Sequence, residues 1–302
     1  MAKQSPDQAH LDRIKRLALV AMFADDMLLK RLVFKGGNAL DLVLHISTRA
    51  SVDLDFSMQD EFPSEQLDEV KRLIEQRMTE IFSPAGYVVF DVSLEERPPG
   101  LTPDLADFWG GYLLTFKLVE KAFYDVHRRD LPTLRRNATE VAPGQRRKFE
   151  IDISKHEYVG DKRREEFDGY TIYVYSPEML AIEKLRAICQ QMPEYGPAVK
   201  RNRAGSPRAR DFLDLKTLVT NCALDLTRPD QVGLLKKIFS AKRVPLELLG
   251  LIEQTREFHR QDWPAVEQTV KAGTALDSFD HYFDFVVRLA NQLLAAAKPA
   301  GT

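Results

Sequence analysis

The stretch Lys35-Gly36-Gly37-Asn38-Ala39-Leu40, followed shortly by Ser51-Val52-Asp53-Leu54-Asp55-Phe56, decides the reading of this chain. A glycine pair opens a helix, and two aspartates then stand one residue apart inside an apolar run. Side chains of a strand alternate between its faces, so Asp53 and Asp55 are expected to project to the same side. Two carboxylates that close repel each other unless a cation lies between them. The expected cation is Mg²⁺ (or Mn²⁺), a hard ion that takes oxygen ligands and substrate phosphates together. The glycine turn offers bare backbone N–H groups to a phosphate. A phosphate cradle beside an acidic pair is the equipment for nucleotidyl transfer.

The rest of the composition bounds this reading. The chain has 302 residues, of which 44% are apolar, enough for one large domain or two ordinary ones. Lys+Arg number 43 against Asp+Glu 45, so no global charge marks a nucleic-acid binder, and any such contact must rest on local basic patches. Cys189 and Cys222 make neither a disulfide framework nor a zinc quartet and read as small residues of helices. The polar start, Met1 to Asp12, lacks the apolar stretch of a signal peptide, and no run approaches a transmembrane span. The expected location is the cytoplasm, with no membrane partner.

Periodicity sets the organisation. Residues 8–32 read as helix, Leu32 to Phe34 as a short strand, Ala39 to His45 as helix and Val52 to Phe56 as strand. Ser64 to Phe82 is a long amphipathic helix, Tyr87 to Leu94 a strand, 97–111 a loop and Tyr112 to Val119 a strand. Residues 127–148 read as irregular. Phe149 to Ser154 alternates as a half-buried strand, and Tyr170 to Tyr175 is another. Ser176-Pro177-Glu178 starts a helix. From there every strong periodicity is helical, through 212–222, 230–240, 245–259, 264–272 and 279–297, with a loop at 193–207 rich in Gly, Pro, Arg and Lys. The expectation is an α+β chain with a mixed sheet: a domain over 1–175 and an all-helical one over 176–302. The helical part is expected to complete the active site and to meet acceptor or partner.

Further candidates follow from position. Asp152 alternates with Glu150 and Ser154 while Ile151 and Ile153 pack behind, which suits a third carboxylate that binds metal or deprotonates an attacking hydroxyl. Lys184 and Arg186 lie on the first helix of the second half, and Arg208, Arg210, Asp211 and Asp214 lie at the start of the next. Taken singly, each is an ordinary helix charge; Asp214 is spaced to pair with Arg210.

Together, Gly36-Gly37-Asn38-Ala39-Leu40, Arg49-x-Ser51-x-Asp53-Leu54-Asp55, Glu183-Lys184-Leu185-x-Ala187 and Arg210-Asp211-x-x-Asp214-Leu215 resemble the AbiEii/AbiGii toxin family. These are nucleotidyltransferase-like proteins of bacterial toxin–antitoxin and phage-abortive systems, the MenT-like toxins among them. The likeness covers about residues 30–220. Its Gly-Gly…Asp-x-Asp part is shared across polymerase-β-like nucleotidyltransferases, and the Lys…Arg-Asp part narrows it. The resemblance implies a polymerase-β-like nucleotidyltransferase core. It implies that Asp53 and Asp55 hold metal, Lys184 contacts nucleotide phosphates and Asp211 completes the site. It also implies a cognate antitoxin and, by analogy with MenT-like members, transfer to the 3′ end of tRNA. The family carries Ser or Thr where Asn38 stands, and the loop between Lys184 and Asp211 is long and basic.

The combined expectation is a catalytic set of Asp53, Asp55, Asp152, Lys184 and Asp211, with Asp53, Asp55 and Asp152 on the metal. The nucleoside triphosphate is expected against Lys35, Gly36, Gly37, Asn38, Ser51, Lys184, Arg186, Arg210 and Asp214. Basic runs at Arg135-Arg136, Arg146-Arg147-Lys148, Arg163-Arg164 and 200–208 suit RNA phosphate as well as solvent. The histidines show no zinc spacing, and Trp109, Tyr124 and Trp263 do not interleave with the basic runs. The alternatives are transfer to a protein hydroxyl and a non-catalytic nucleotide-binding sensor of a defence system.

Overall fold

The computed structural model describes residues 8–141, 146–271 and 273–298. Seven strands form one mixed sheet: β1 (Val33–Lys35), β2 (Leu54–Ser57), β3 (Tyr87–Arg97), β4 (Gly111–Glu120), β5 (Phe149–Ser154), β6 (Arg163–Phe167) and β7 (Tyr170–Val174). Their order is β3-β4-β5-β2-β1-β7-β6. The central strands are short and apolar. β2 runs antiparallel to β1 and parallel to β5, and β7 runs parallel to β1.

Alternation gives the sheet two faces of different character. Leu54 and Phe56 of β2, with Ile151 and Ile153 of β5, are buried against the helices Gln8–Phe23 and Leu67–Phe82. Phe56 packs on Phe23 and Phe34, and Phe82 on Phe116. The opposite face carries Lys35, Asp55 and Asp152. After β7 the chain is helical, starting with Pro177–Cys189, whose N-cap Ser176 accepts a hydrogen bond from the Met179 N–H. One hydrophobic core runs from Ile14 to Leu293, so the sheet and the helical half share it.

Several elements differ from the sequence expectations for local reasons. The helix expected over 8–32 breaks at Asp25, whose carboxylate caps a second helix, Asp26–Arg31, by accepting from the Met27 and Leu28 N–H groups. The expected loops at 97–111 and 127–148 contain short helices, Pro103–Ala106 and Leu131–Arg136; Asp130 caps the second. Of the latter loop, residues 142–145 lie outside the described residues. Strand β6 was hidden by its polar sequence, which belongs to a sheet edge. It turns into β7 at Asp168-Gly169, both with positive φ. The helix expected over 245–259 is mostly a 3₁₀ stretch, Leu246–Thr255, followed by Arg256–Arg260.

Candidate active site

Register places the key residues side by side. Lys35 of β1 pairs with Asp55 of β2, and Asp55 pairs with Asp152 of β5. Three strands thus bring a lysine and two carboxylates into one row in the lining of a cavity of about 500 Å³. Strand β2 begins at Leu54, one residue beyond Asp53, so Asp53 stands in the bend before the pleat; it still lines the cavity.

The two glycines have separate steric reasons. Gly36 has a φ of +76°, and a Cβ there would lie 2.2 Å from Asp55 Oδ2. A Cβ on Gly37 would lie 2.8 Å from Ser51 Oγ and 3.2 Å from an Arg49 guanidinium nitrogen. The turn is therefore bare because Asp55 and the Arg49–Ser51 loop press against its backbone. Asn38 is fully buried. Its Nδ2 donates to the Asp53 carbonyl at 2.7 Å, and its Oδ1 accepts from Lys15 Nζ at 3.3 Å. This side chain was expected to meet a phosphate; the structure places it outside the cavity lining, pinning the loop that carries Asp53.

The three acids meet different cations. Asp53 accepts from Arg146 at 3.2 Å, and Arg146 also pairs with Glu150. Asp152 accepts from Arg97 at 3.0 Å. Burial raises the Asp53 carboxyl, Arg146 opposes that, and Glu150 and Asp152 add to it. Burial pushes the Asp55 carboxyl up to about 6, with Lys35 pulling down and Asp152 and Glu183 pushing up. Oxygen donors that repel one another across a cavity suit a divalent cation in kind. The side chains of Asp53 and Asp152 are turned onto Arg146 and Arg97, however. Among the described residues no three His, Cys, Asp or Glu side chains form a ready metal cage.

Behind the acids lie two buried ion networks. In the first, Lys184 Nζ bonds Asp211 at 3.0 Å and Asp214 at 2.7 Å. Arg49 grips Asp214 with two hydrogen bonds of 2.7 and 2.9 Å, and Arg208 pairs with Asp211. Burial opposes ionisation of Asp211, but Arg208, Lys184 and Arg210 outweigh it and hold the carboxyl well below the usual range. Asp214 lies behind the cavity wall and pairs with Arg49 and Lys184 rather than with Arg210. In the second network, Arg186 bonds Glu157 at 2.6 and 3.0 Å. Lys35 Nζ lies 3.2 Å from Glu183, 3.7 Å from Glu157 and 3.3 Å from Ser154 Oγ. Lys242 lies 3.7 Å from Glu157 and donates to the Phe108 carbonyl at 3.1 Å and the Lys155 carbonyl.

The cavity thus gathers Lys35, Gly36, Gly37, Ser51, Asp53, Asp55, Asp152, Lys184, Arg186, Arg210 and Asp211 from the expected set. Lys35, Lys184 and Arg186 enter it already paired. Arg210 is exposed and has no hydrogen bond or ion pair of its own among the described residues. The expected RNA-facing runs are largely engaged within the chain. Arg135 holds Asp91, Arg147 holds Glu140, and Lys200 holds Asp104. Arg201 donates to the carbonyls of Gln190 and Met192. Sequence reasoning passed over Arg97, Glu157 and Lys242 and gave Trp109 no role, yet all four line the cavity. Glu157 and Lys242 belong to no motif. Arg97 and Trp109 flank a loop whose Pro and Gly content hid its proximity to the acids.

Solved structures of similar overall trace exist at low identity. A nucleotidyltransferase from H. pylori, described as putative, is 15% identical, with 96% of this chain and 97% of that one covered at a TM-score of 0.47. JHP933 from Helicobacter pylori is 14% identical, over 96% and 94% at 0.46. An antigenic nucleotidyltransferase-like protein from Paracoccidioides brasiliensis is 11% identical, over 89% and 97% at 0.37. No curated protein matches the chain. No helix among the described residues is long and apolar enough to cross a membrane. The family model of the AbiEii nucleotidyl transferase toxin matches residues 17–285, nearly the whole mixed-sheet and helical chain. The chain therefore belongs to the AbiEii nucleotidyltransferase toxins of type IV toxin–antitoxin systems.

Proposed function

We propose that this toxin transfers a nucleoside monophosphate from a nucleoside triphosphate to a hydroxyl at the 3′ end of tRNA. The observation that carries the reading is the row Lys35–Asp55–Asp152 beside the bare turn Gly36-Gly37. Here the triphosphate lies against Gly36 and Gly37, with Ser51 beside it and Arg210 reaching its oxygens. Asp53, Asp55 and Asp152 would hold Mg²⁺, which supplies charge neutralisation at the phosphates when bound. The acceptor oxygen attacks the α-phosphorus, the bond from that phosphorus to the bridging oxygen breaks, and pyrophosphate leaves. The hydroxyl proton passes to Asp152, the most accessible of the row. Charge building on pyrophosphate faces a wall whose networks hold more cations than anions, the preorganised electrostatics such transfers need.

The tRNA acceptor rests on the likeness to MenT-like members, and an antitoxin partner on the type IV family. The test is a transfer assay with Mg²⁺ and each labelled nucleoside triphosphate, against total tRNA and against total protein, with Asp55→Asn as control. Label on tRNA that vanishes in the variant is the expected result. Label on protein moves the acceptor to a protein hydroxyl. Nucleotide binding without transfer to either acceptor overturns the enzymatic reading in favour of a sensor.

A further inference from the structure

We infer that Trp109 is the stacking platform for a nucleobase, and so a residue that sets how a base is held in this cavity. The inference rests on the nucleotide reading above and adds to it where the base lies. The lining of the cavity reaches from the acids and glycines to Trp109. Along the helix Pro177–Cys189 and its C-cap, Glu183, Ala187 and Gln190 follow each other at i, i+4 and i+7 and all line it. At a rise of 1.5 Å per residue, that face runs roughly 10 Å from the acids outward. Across the cavity, β5 leads from Asp152 to Ser154, Ser154 pairs with Gly111, and Trp109 lies two residues before Gly111. Helix and sheet both run from the carboxylates and glycines toward Trp109.

Two aromatic residues line the space. Tyr112 is 1% exposed, and its hydroxyl is bonded to Phe62, so it belongs to the wall. Trp109 is only half-buried, and its indole N–H has no partner among the described residues. Neighbours hold the ring: Tyr195 packs on it at 6.1 Å between centroids, and the Lys242 ammonium, which also lines the cavity, lies 5.7 Å from its centroid. A half-buried aromatic ring in a cavity wall offers apolar surface that a planar ligand can cover. A fixed ring loses little conformational freedom when one does. The ligand is planar, aromatic and joined to phosphates at the other end, which describes a nucleotide. The base belongs either to the triphosphate or to the last nucleotide of the acceptor.

Trp109 and Trp263 are the only tryptophans, and Trp263 is buried among Phe279 and Tyr282. A Trp263→Phe background therefore leaves Trp109 as the sole tryptophan, the one side chain excited beyond the tyrosine absorption. With Mg²⁺, saturable quenching by a nucleoside triphosphate, and none by inorganic tripolyphosphate that calorimetry shows to be bound, assigns the stacked base to the triphosphate. Quenching only by a short RNA ending in the tRNA acceptor sequence assigns it to the acceptor. Trp109→Ala should weaken binding of the quenching ligand by roughly 5- to 150-fold, the range of one base–aromatic stack. Trp109→Phe should restore most of that, with tripolyphosphate binding unchanged in both. Nucleotide and RNA bound without any quenching would overturn the platform alone. No calorimetric binding of nucleotide or RNA would overturn the nucleotidyltransferase reading, and the platform with it.

Discussion

The two buried ion networks have the same composition and different origins. Each sets three cations against two carboxylates: Arg49, Lys184 and Arg208 with Asp211 and Asp214, and Lys35, Arg186 and Lys242 with Glu157 and Glu183. Each therefore leaves one positive charge in excess beside the cavity. The first ties the loop before β2 to two helices of the second half, through residues that a family pattern makes conspicuous. The second ties β1 and the segment after β5 to the same helix and to Lys242; Lys35, Glu183 and Arg186 stand in conspicuous stretches, but Glu157 and Lys242, which complete it, are marked by no pattern. Charges that pair with one another deep in the wall fix its shape, whereas on the proposed function the groups nearer the open cavity meet the substrate. Conspicuousness in the sequence does not separate these two roles.

The largest effects should come from unbalancing either network. Lys184→Met leaves Asp211 and Asp214 with one cation fewer in a site where both are buried. Glu157→Gln leaves Lys35, Arg186 and Lys242 facing one another around a neutral amide. Breaking a buried pair by removing one partner costs about 3–5 kcal/mol, so both variants should unfold well below the wild type in thermal melts. Equal losses would make both networks scaffolding. A Lys184→Met that melts like the wild type but binds no triphosphate would break the comparison and return Lys184 to direct phosphate contact.

This explains how much could be read beforehand. The glycine turn, the acids of β2 and β5 and the switch to helices at Ser176 were legible because steric need and alternation leave periodic traces. The side-chain fates of Asn38, Lys184 and Asp214 were not. Each is a polar residue at the right spacing, and only the fold decides whether its partner is a ligand or another buried charge. Glu157 and Lys242 stand 85 residues apart, and nothing local couples them. The bend at Asp53 was missed because Val52, exposed in the structure, has the same apolar, β-branched character as a strand residue.

Asp55 should show the opposite sign. Its carboxyl is raised from 3.8 to about 6, chiefly by burial. Between those values the folded state binds more protons than the unfolded one, so Asp55 costs stability progressively as pH rises from about 4 to about 6, and fully above that. Asp55→Asn removes this cost. It should raise stability at pH 7.5 by up to about 3 kcal/mol while abolishing transfer. At pH 3 both forms are neutral and the difference should vanish. Denaturant melts at the two pH values check it, and a variant less stable at pH 7.5 would mean that an unpaired acid is not what strains this site.

A smaller loss is expected at the turn. Gly36→Ala demands a left-handed conformation, which costs about 1–2 kcal/mol, and drives a methyl group into Asp55. Gly36→Ala in the Asp55→Ala background removes the carboxylate contacts at 2.2 and 2.8 Å, but keeps the 2.9 Å approach to the Cβ of position 55 and the left-handed conformation. The stability loss should therefore shrink without disappearing, a non-additivity expected of residues in contact. Full additivity would show that the Asp55 carboxylate takes no part in the need for glycine.

Arg210 should change stability least and binding most selectively. It faces Asp53, Asp55 and Asp211 electrostatically, yet holds none of them in a hydrogen bond among the described residues. Arg208, two residues earlier, is locked onto Asp211. Arg210→Ala should thus leave the melting curve within about 0.5 kcal/mol of the wild type. Arg208→Ala should lower it, because Asp211 then loses a buried partner. Affinity for a nucleoside triphosphate should respond the other way round. Losing a charged donor to a phosphate costs roughly tenfold, with a weaker dependence on salt, in Arg210→Ala. The pair of variants separates an open cation from a paired one at nearly the same place in the chain. If both variants melt alike and bind alike, the division between fixed and reacting charges fails at the residues where it is most sharply drawn.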